Sequence, residues 1–197
     1  MIERDIIYRA IPKEKIALSE RELQARLGVK YEAVYSLVME MHNRLKMTAK
    51  PAFCATRVSI FHRGEGSLAL ESGEIHSLAL SRTLRGASEA YIMAVTLGAG
   101  VDRELLALSK RSMTEHFVYD AVASAYVEAA CDAAEAQLCG GLLTTHRFSP
   151  GYGDLPLDLQ RYILDRLSAE RLLGVTLTDT SLMIPTKSIT AIIGIKS

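Results

Sequence analysis

The sequence predicts an α+β fold, in which an antiparallel or mixed β-sheet is flanked by helices. Two observations indicate this class. Short β-prone segments recur along the chain, and longer helical patterns occupy much of the sequence between them. The 197 residues are enough for one substantial hydrophobic core. We therefore expect a single domain over residues 1–197, with an N-terminal helical arm at 1–50 and an α+β core at 51–197.

The N-terminal arm begins with a β-prone run at residues 4–10, which Pro12 ends. This run predicts an edge strand or an extended arm. Ser19 and Glu22 then have the spacing of a capping box, in which both side chains satisfy free amides at a helix start. A short helix is expected from there to Gly28.

From residue 31 to residue 45, apolar side chains recur at helical spacing, which predicts an amphipathic helix that stops before Pro51. The next segment, up to Leu70, is rich in β-prone residues. It contains Gly64 and Gly66, which are typical of a hairpin turn. The segment therefore predicts two antiparallel strands.

The middle of the chain predicts the central strand of the sheet. Residues 75–84 have a helical pattern, closed by Gly86 in a position that favours a left-handed cap. Residues 90–96 are almost continuously apolar and are bounded by Gly98. This pattern is typical of a strand that is covered on both faces.

Two further helices are expected after this strand. The first spans residues 101–110, and Ser112 with Glu115 forms a second capping box for a long helix that runs towards Cys139. Many alanines in the long helix allow close backbone approach, which is typical of a packing helix. Its acidic residues are able to coordinate a metal, but a solvated helix face is favoured without an inward-facing histidine at helical spacing. These acidic residues are Asp120, Glu128, Asp132 and Glu135.

The C-terminal part predicts one more helix and two more strands. Asp154 and Pro156 have the character of a helix cap and a first-turn proline, and Gly174 ends the helical region. Strands are expected at 175–177 and 188–193. The loop at 179–186 and the loop before Asp154 both lie where helices give way to sheet strands, so the two loops can converge at one sheet edge.

Composition excludes several classes of function. The 23 basic and 23 acidic residues balance, and no basic run occurs, so neither nucleic acid nor a membrane surface is the expected partner. No apolar run is long enough for a membrane span, and the N-terminus lacks the pattern of a signal peptide, so we expect a cytoplasmic protein. The three cysteines and five histidines show no metal-ligand spacing, so no metal site is expected.

The segment from Arg147 to Asp154 is the strongest candidate for a ligand site. Pro150 fixes one backbone angle, while Gly151 and Gly153 permit positive φ, so the chain turns tightly and exposes backbone groups. An arginine, aromatic rings and bare amides suit a ligand that has a carboxylate and a flat ring. The alternative is an ordinary turn in which Arg147 pairs with Asp154 or with Asp179. Residue chemistry alone favours this alternative.

The order Arg147-x-x-Pro-Gly-Tyr, followed by a helix and by Leu177-Thr-Asp-x-x-x-Met-x-Pro185, resembles the reactivation domain of cobalamin-dependent methionine synthase. That module binds S-adenosylmethionine. The resemblance covers most of the chain and implies that the loop residues hold this ligand. An aromatic residue that the family carries in the last strand has no counterpart here, where the nearest positions are Ile193 and Gly194. The residues implied to contact the ligand are Arg147, Ser149, Gly151, Tyr152 and Asp179.

This resemblance implies a stand-alone module that supports reductive methylation of a corrinoid held by a separate methionine synthase or a related corrinoid protein. The chain lacks the Asp-x-His-x-x-Gly sequence of corrinoid carriers, so cobalamin is expected only through that partner. A flavodoxin-like or ferredoxin-like protein would supply the electron. No nucleophile elbow or activated cysteine is present, so the chain is expected to bind and position rather than to catalyse alone.

Two other interpretations remain open. Gly98 and Gly100 after the central strand are a weak match to the ligand-binding turn of a doubly wound S-adenosylmethionine methyltransferase. A non-enzymatic interaction module that kept the fold and lost the ligand is the second alternative. Binding of S-adenosylmethionine would distinguish the reactivation module from the ligand-free interaction module. Methyl transfer to a small acceptor without any corrinoid protein would support the methyltransferase.

Overall fold

The computed structural model describes residues 6–28, 31–64, 66–70 and 73–196. Seven α-helices occur in this part of the chain, and two short 3₁₀ turns precede α1 and α2. The helices are α1 (Glu20–Leu27), α2 (Tyr35–Thr48), α3 (Leu78–Thr83), α4 (Ala99–Arg111), α5 (Met113–Cys139), α6 (Leu159–Arg166) and α7 (Ala169–Leu173). No helix among the described residues is long and apolar enough to cross a membrane.

The strands form three sheets. The main sheet has the order β1-β2-β6-β9, and every neighbouring pair is antiparallel. A small sheet of β3, β4 and β5 and a ribbon of β7 and β8 complete the set. The strands are β1 (Ile7–Ala10), β2 (Ala52–Ser59), β3 (Phe61–Gly64), β4 (Ser67–Leu70), β5 (Gly73–His76), β6 (Ala87–Thr96), β7 (Thr176–Leu177), β8 (Met183–Ile184) and β9 (Ser188–Lys196). The predicted α+β class with an antiparallel sheet is therefore confirmed.

Strand β6 lies in the centre of the main sheet, as its apolar run predicts. Met93 and Val95 point to the core on one face, while Ile92 and Ala94 point to the core on the other. Burying a side chain the size of Ile92 contributes about 1.5–3 kcal/mol. Both faces of β6 are covered by buried clusters, so its sequence is almost continuously apolar even though the sheet is antiparallel.

Helix α5 fills the first face of the sheet. It packs against α1, α2 and α4 and against strands β6 and β9. Ser112 accepts a hydrogen bond from the Glu115 amide at 3.3 Å, so the predicted cap begins this helix. Tyr119 and Tyr126 are its largest fully buried side chains, and the alanines between them allow neighbouring backbone to approach.

Helices α3, α6 and α7 and the small sheet cover the second face. Leu80 of α3, Leu84 at its end, and Ile163 and Leu164 of α6 belong to the same buried cluster as Ile92. The main sheet therefore lies between two apolar layers. The predicted domain bounds, with an arm at 1–50, stay a prediction.

Two expectations about the region after Pro51 are wrong. The segment up to Leu70 contains three strands, because β2 belongs to the main sheet while β3 and β4 form the hairpin. Ile75 and His76 belong to strand β5 and not to a helix. Helix α3 begins only after Ser77, whose hydroxyl accepts a hydrogen bond from the Leu80 amide at 3.0 Å.

The glycines after β6 have a packing role. A Cβ at Gly100 would lie 2.6 Å from the carbonyl oxygen of Thr48, so α4 approaches the end of α2 closely only because this residue has no side chain. The next strand in the main sheet pairs antiparallel with β6. A doubly wound methyltransferase needs a parallel sheet at this point, so the fold contradicts that interpretation.

Candidate functional site

The chain before the Pro-Gly turn runs along the outer side of β9. The Thr145 amide donates to the Gly194 carbonyl at 2.9 Å, and Phe148 exchanges two backbone hydrogen bonds with Ile192, of 2.8 and 2.9 Å. Residues 143–148 therefore extend the main sheet by one irregular segment. This placement fixes Arg147 over the α5 side of the sheet.

Arg147 lies among three carboxylates of α5. Its guanidinium nitrogens lie 3.0 Å from Glu128, 2.5 Å from Asp132 and 3.2 Å from Glu135. These acids are spaced four and three residues apart, so they share one helix face. Neither pairing considered from the sequence, with Asp154 or with Asp179, is present among the described residues.

The acidic residues of α5 are therefore ion-pair partners and not only a solvated face. Asp120 accepts a hydrogen bond of 2.7 Å from Lys187, which also donates to the Ser124 hydroxyl at 2.8 Å. The other three acids surround Arg147. The sequence pattern missed these pairs because both cations follow α5 in the sequence and reach it only through the fold.

The electrostatic environment of Arg147 favours its charge. Burial disfavours the charged form, but the hydrogen bond that Arg147 donates to Asp132 and the surrounding negative charge raise the pKa of Arg147 above its usual range. One guanidinium among three carboxylates leaves a local formal charge of minus two. A further anion placed against this group would meet net repulsion.

Two adjoining clefts border Arg147. The first has a volume of about 570 Å³ and lies between α5, at Asp132 and Glu135, and the segment that carries His146. The second, of about 410 Å³, lies between Thr83, Thr144, Phe148 and Lys196. Glu135, His146 and Arg147 contribute to both. The clefts therefore meet at the arginine of the sequence motif.

The turn after Arg147 has the geometry that its glycines predict. Gly151 has φ +89° and Gly153 has φ +56°, both in the region that favours glycine. The Gly151 amide donates to the Leu155 carbonyl at 2.9 Å, which closes the turn. Tyr152 lies at its tip with 65% of its surface exposed.

Asp154 does not start the following helix, so that expectation is wrong. Helix α6 begins at Leu159, with Asp158 as its N-cap residue. The Asp154 carboxylate instead accepts hydrogen bonds from the Ser77 hydroxyl at 2.6 Å and from the Leu78 amide at 2.7 Å. Its first oxygen also accepts a bond from the Ala79 amide at 3.1 Å, so Asp154 caps α3 from a distant loop.

These bonds stabilise the charged form of the carboxylate. The hydrogen bond from the Ser77 hydroxyl is the largest cause of the lowered pKa of Asp154, and the bond from the Leu78 amide is the next largest. The same contacts hold the turn against α3. A Cβ at Gly153 would lie 3.2 Å from the Ala79 side chain, which shows how closely the turn approaches that helix.

The second loop of the sequence motif, in the segment from Leu177 to Pro185, turns at residues 178–182. Asp179 is exposed in this turn, where the Thr178 hydroxyl accepts a hydrogen bond from the Leu182 amide at 3.0 Å. Buried Gln160 of α6 donates to the Ser181 carbonyl at 2.9 Å, and its side-chain oxygen lies 3.4 Å from the Thr190 hydroxyl of β9. Helix α6 therefore links this loop to β9, the strand beside which residues 143–148 run.

The resemblance leads one to expect an aromatic residue near positions 193 and 194 of β9, and both positions are tightly packed. Ile193 is fully buried on the α5 face of the sheet. A Cβ at Gly194 would lie 2.9 Å from both Leu84 and Thr145 side-chain atoms. A larger residue at position 194 therefore requires both neighbours to move.

The structure brings only part of the expected site together. Arg147 lines both clefts, whereas Ser149, Gly151, Tyr152 and Asp179 line neither. Their roles stay predictions. Groups that sequence reasoning did not assign to the site also line the clefts, and they come from distant parts of the chain. These groups are Thr83, Thr144, Thr145 and Lys196.

No protein-family model and no curated protein matches the sequence. Among solved structures, the fold is similar to the crystal structure of the MetH reactivation domain bound to AdoHcy. The similarity has a TM-score of 0.70 at 15% sequence identity, and it covers 98% of this chain and 79% of that chain. At this identity the comparison establishes a shared fold.

Proposed function

We propose that the chain binds S-adenosylmethionine in the two clefts beside Arg147. The observation that carries this proposal is that the Arg-x-x-Pro-Gly-Tyr motif places its arginine where both clefts meet. The fold similarity supports it, because the neighbouring structure holds AdoHcy, the product that S-adenosylmethionine leaves after methyl transfer.

The chemistry of the cleft walls fits this ligand. Asp132 and Glu135 offer carboxylates to the ligand's ammonium and sulfonium charges. The Thr144 hydroxyl and the backbone groups of residues 144–147 that do not pair with β9 can bind ribose and adenine edges, and the Phe148 ring gives an apolar surface for the base. Together the clefts offer groups for each part of the ligand.

The remaining motif residues are proposed to close the site from the turn. Ser149 would bind polar groups of the ligand, Gly151 would let the backbone approach it closely, and Tyr152, exposed at the tip, would fold over the adenosine. Asp179 would accept a hydrogen bond from the ribose or the ammonium group. Because these side chains lie outside the clefts, their contacts require the turn to approach the bound ligand.

We further propose an accessory role in reductive methylation of a corrinoid that a separate methionine synthase, or a related corrinoid protein, carries. S-adenosylmethionine supplies a methyl group on a good leaving group, and a flavodoxin-like or ferredoxin-like donor supplies the electron. The chain's own contribution is to hold the ligand with its methyl group accessible and to exclude water.

Calorimetric titration tests the binding proposal. S-adenosylmethionine is titrated into the protein, with ATP as a control that shares the adenosine and lacks the amino acid. We expect saturable binding near one equivalent for S-adenosylmethionine and none for ATP. Absence of heat with folded protein, confirmed by circular dichroism, would contradict the proposal.

A second candidate is an interaction module without a small-molecule ligand. The observation that favours it is that carboxylates of the chain itself already bind Arg147. The same titration separates the two functions, because the module would bind neither S-adenosylmethionine nor AdoHcy.

A further inference from the structure

Lys196 gives the second cleft a cation that has no ion-pair partner within the described part of the chain. It is the last residue of β9, and its side chain lines this cleft together with Thr83, Thr144 and Phe148. Across residues 73–196 and the shorter described ranges, none of the ion pairs includes the Lys196 ammonium. This ammonium is therefore available to an anionic ligand group.

Arg147 is poorly placed for the same task. One of its terminal nitrogens bonds both Asp132 and Glu135, and the other bonds Glu128. A ligand carboxylate that approached this guanidinium would have to displace one of these acids or accept their repulsion. Among the described residues that line the second cleft, Glu135 is the one acid that could compete for Lys196, and it is already bonded to Arg147.

We infer that Lys196, and not Arg147, binds the carboxylate of the ligand's amino acid end. The inference rests on the proposed binding of S-adenosylmethionine. The wall formed by Asp132 and Glu135 then faces the ammonium and sulfonium groups of the same ligand. Opposite charges of the ligand would lie against oppositely charged side chains of the joined clefts, which fixes its direction in the site. Arg147 acts as a positioning residue that keeps the three acids in place.

This assignment separates ligands by their carboxylate. S-adenosylmethionine and AdoHcy both carry the group, so loss of the Lys196 charge weakens both. Decarboxylated S-adenosylmethionine keeps the sulfonium and the amine but lacks the carboxylate. Its affinity therefore does not fall when the Lys196 charge is lost.

The test is a calorimetric titration of two ligands into three proteins. The ligands are S-adenosylmethionine and its decarboxylated form, and the proteins are wild type, Lys196→Gln and the matched control Lys110→Gln. Lys110 is exposed in the last turn of α4 and lines neither cleft. We expect Lys196→Gln to bind S-adenosylmethionine about tenfold more weakly, as for loss of one charged hydrogen bond, and to bind the decarboxylated ligand at least as tightly as wild type does.

The outcomes distinguish this inference from the proposed function. If wild type binds S-adenosylmethionine and Lys196→Gln equals the Lys110→Gln control, the Lys196 assignment is overturned while the proposed function stands. Equal weakening of both ligands by Lys196→Gln also overturns the carboxylate assignment. If folded wild type binds neither ligand, the proposed function fails and the assignment fails with it.

Discussion

The Ser77 hydroxyl donates a 2.6 Å hydrogen bond to Asp154 across 77 positions of sequence. Through this bond, and through two amides of α3, the turn that carries Tyr152 is fixed to a helix on the second face of the sheet. The turn is therefore positioned by an N-terminal cap that comes from outside the helix it caps. The cap is formed by the ionised carboxylate of Asp154, which accepts all three of these hydrogen bonds.

Replacing this carboxylate should change the pH dependence of stability. The pKa of Asp154 is lowered in the folded state, so its contribution is complete above the ordinary aspartate value of about 3.9 and is lost as pH falls through the lower folded value. We expect Asp154→Asn to be less stable than wild type at pH 7 and equally stable in strong acid. Urea unfolding between pH 2 and pH 7 measures the difference.

Asp158→Asn is the matched control, because Asp158 is the N-cap residue of α6 without a side-chain cap bond. This variant should follow the wild-type curve. An Asp154→Asn curve parallel to wild type at every pH would show that ionisation of the carboxylate does not stabilise the fold.

Loss of the Arg147 guanidinium should destabilise the protein even without ligand. Arg147→Met leaves three α5 carboxylates without their cation, and a charged hydrogen-bond network of this kind contributes about 1.5–3 kcal/mol. Arg111→Met is the control, since Arg111 is exposed and its nearest carboxylate oxygen, on Glu115, is 3.9 Å away. Urea unfolding of both variants in low and high salt should show a larger, salt-dependent loss only for Arg147→Met. Equal losses would mean that the cluster does not support the fold.

Gly100→Ala should lower the free energy of unfolding by about 1–3 kcal/mol. The added Cβ would lie 2.6 Å from the Thr48 carbonyl oxygen, so α2 and α4 would have to separate. Leu106→Ala, on the exposed face of the same helix, is the control and should have little effect. A Gly100→Ala protein that is as stable as this control would contradict the packing role. Wild-type affinity for S-adenosylmethionine in folded Gly100→Ala is also expected, because Gly100 lies outside the proposed site.

Tyr152→Ala should weaken S-adenosylmethionine binding without destabilising the fold. The side chain is 65% exposed, so its removal costs little packing energy. If Tyr152 folds over the adenosine, its loss reduces affinity about tenfold. Tyr8→Ala, at the exposed edge of the main sheet, should bind as wild type does. Unchanged affinity in Tyr152→Ala would remove the turn from the site.

The elements that could be predicted from the sequence are those fixed by local chemistry. The caps at Ser19 and Ser112, the apolar run of β6 and the positive φ of Gly151 all depend on neighbours within a few residues. The strand β5 was missed because its four residues begin at a glycine and end beside the α3 cap at Ser77.

The site was harder to predict than the fold. Arg147 could be selected by its motif, but its partners lie 12 to 19 residues earlier, on α5. Asp154 resembles a local helix cap, yet it caps a helix more than 70 residues away. Lys196 has no motif at all. Its placement in the second cleft follows only from the register of β9 beside residues 143–148.

The most direct test of the account is a crystal structure of the protein with S-adenosylmethionine at saturating concentration. We expect the ligand in the two clefts that meet at Arg147, with its amino acid end between Lys196 and the carboxylates of Asp132 and Glu135. Ligand density elsewhere, such as in the 710 Å³ cleft beside Arg161 and Arg171, would contradict the proposed site. Crystals with empty clefts at that concentration would contradict the proposed function.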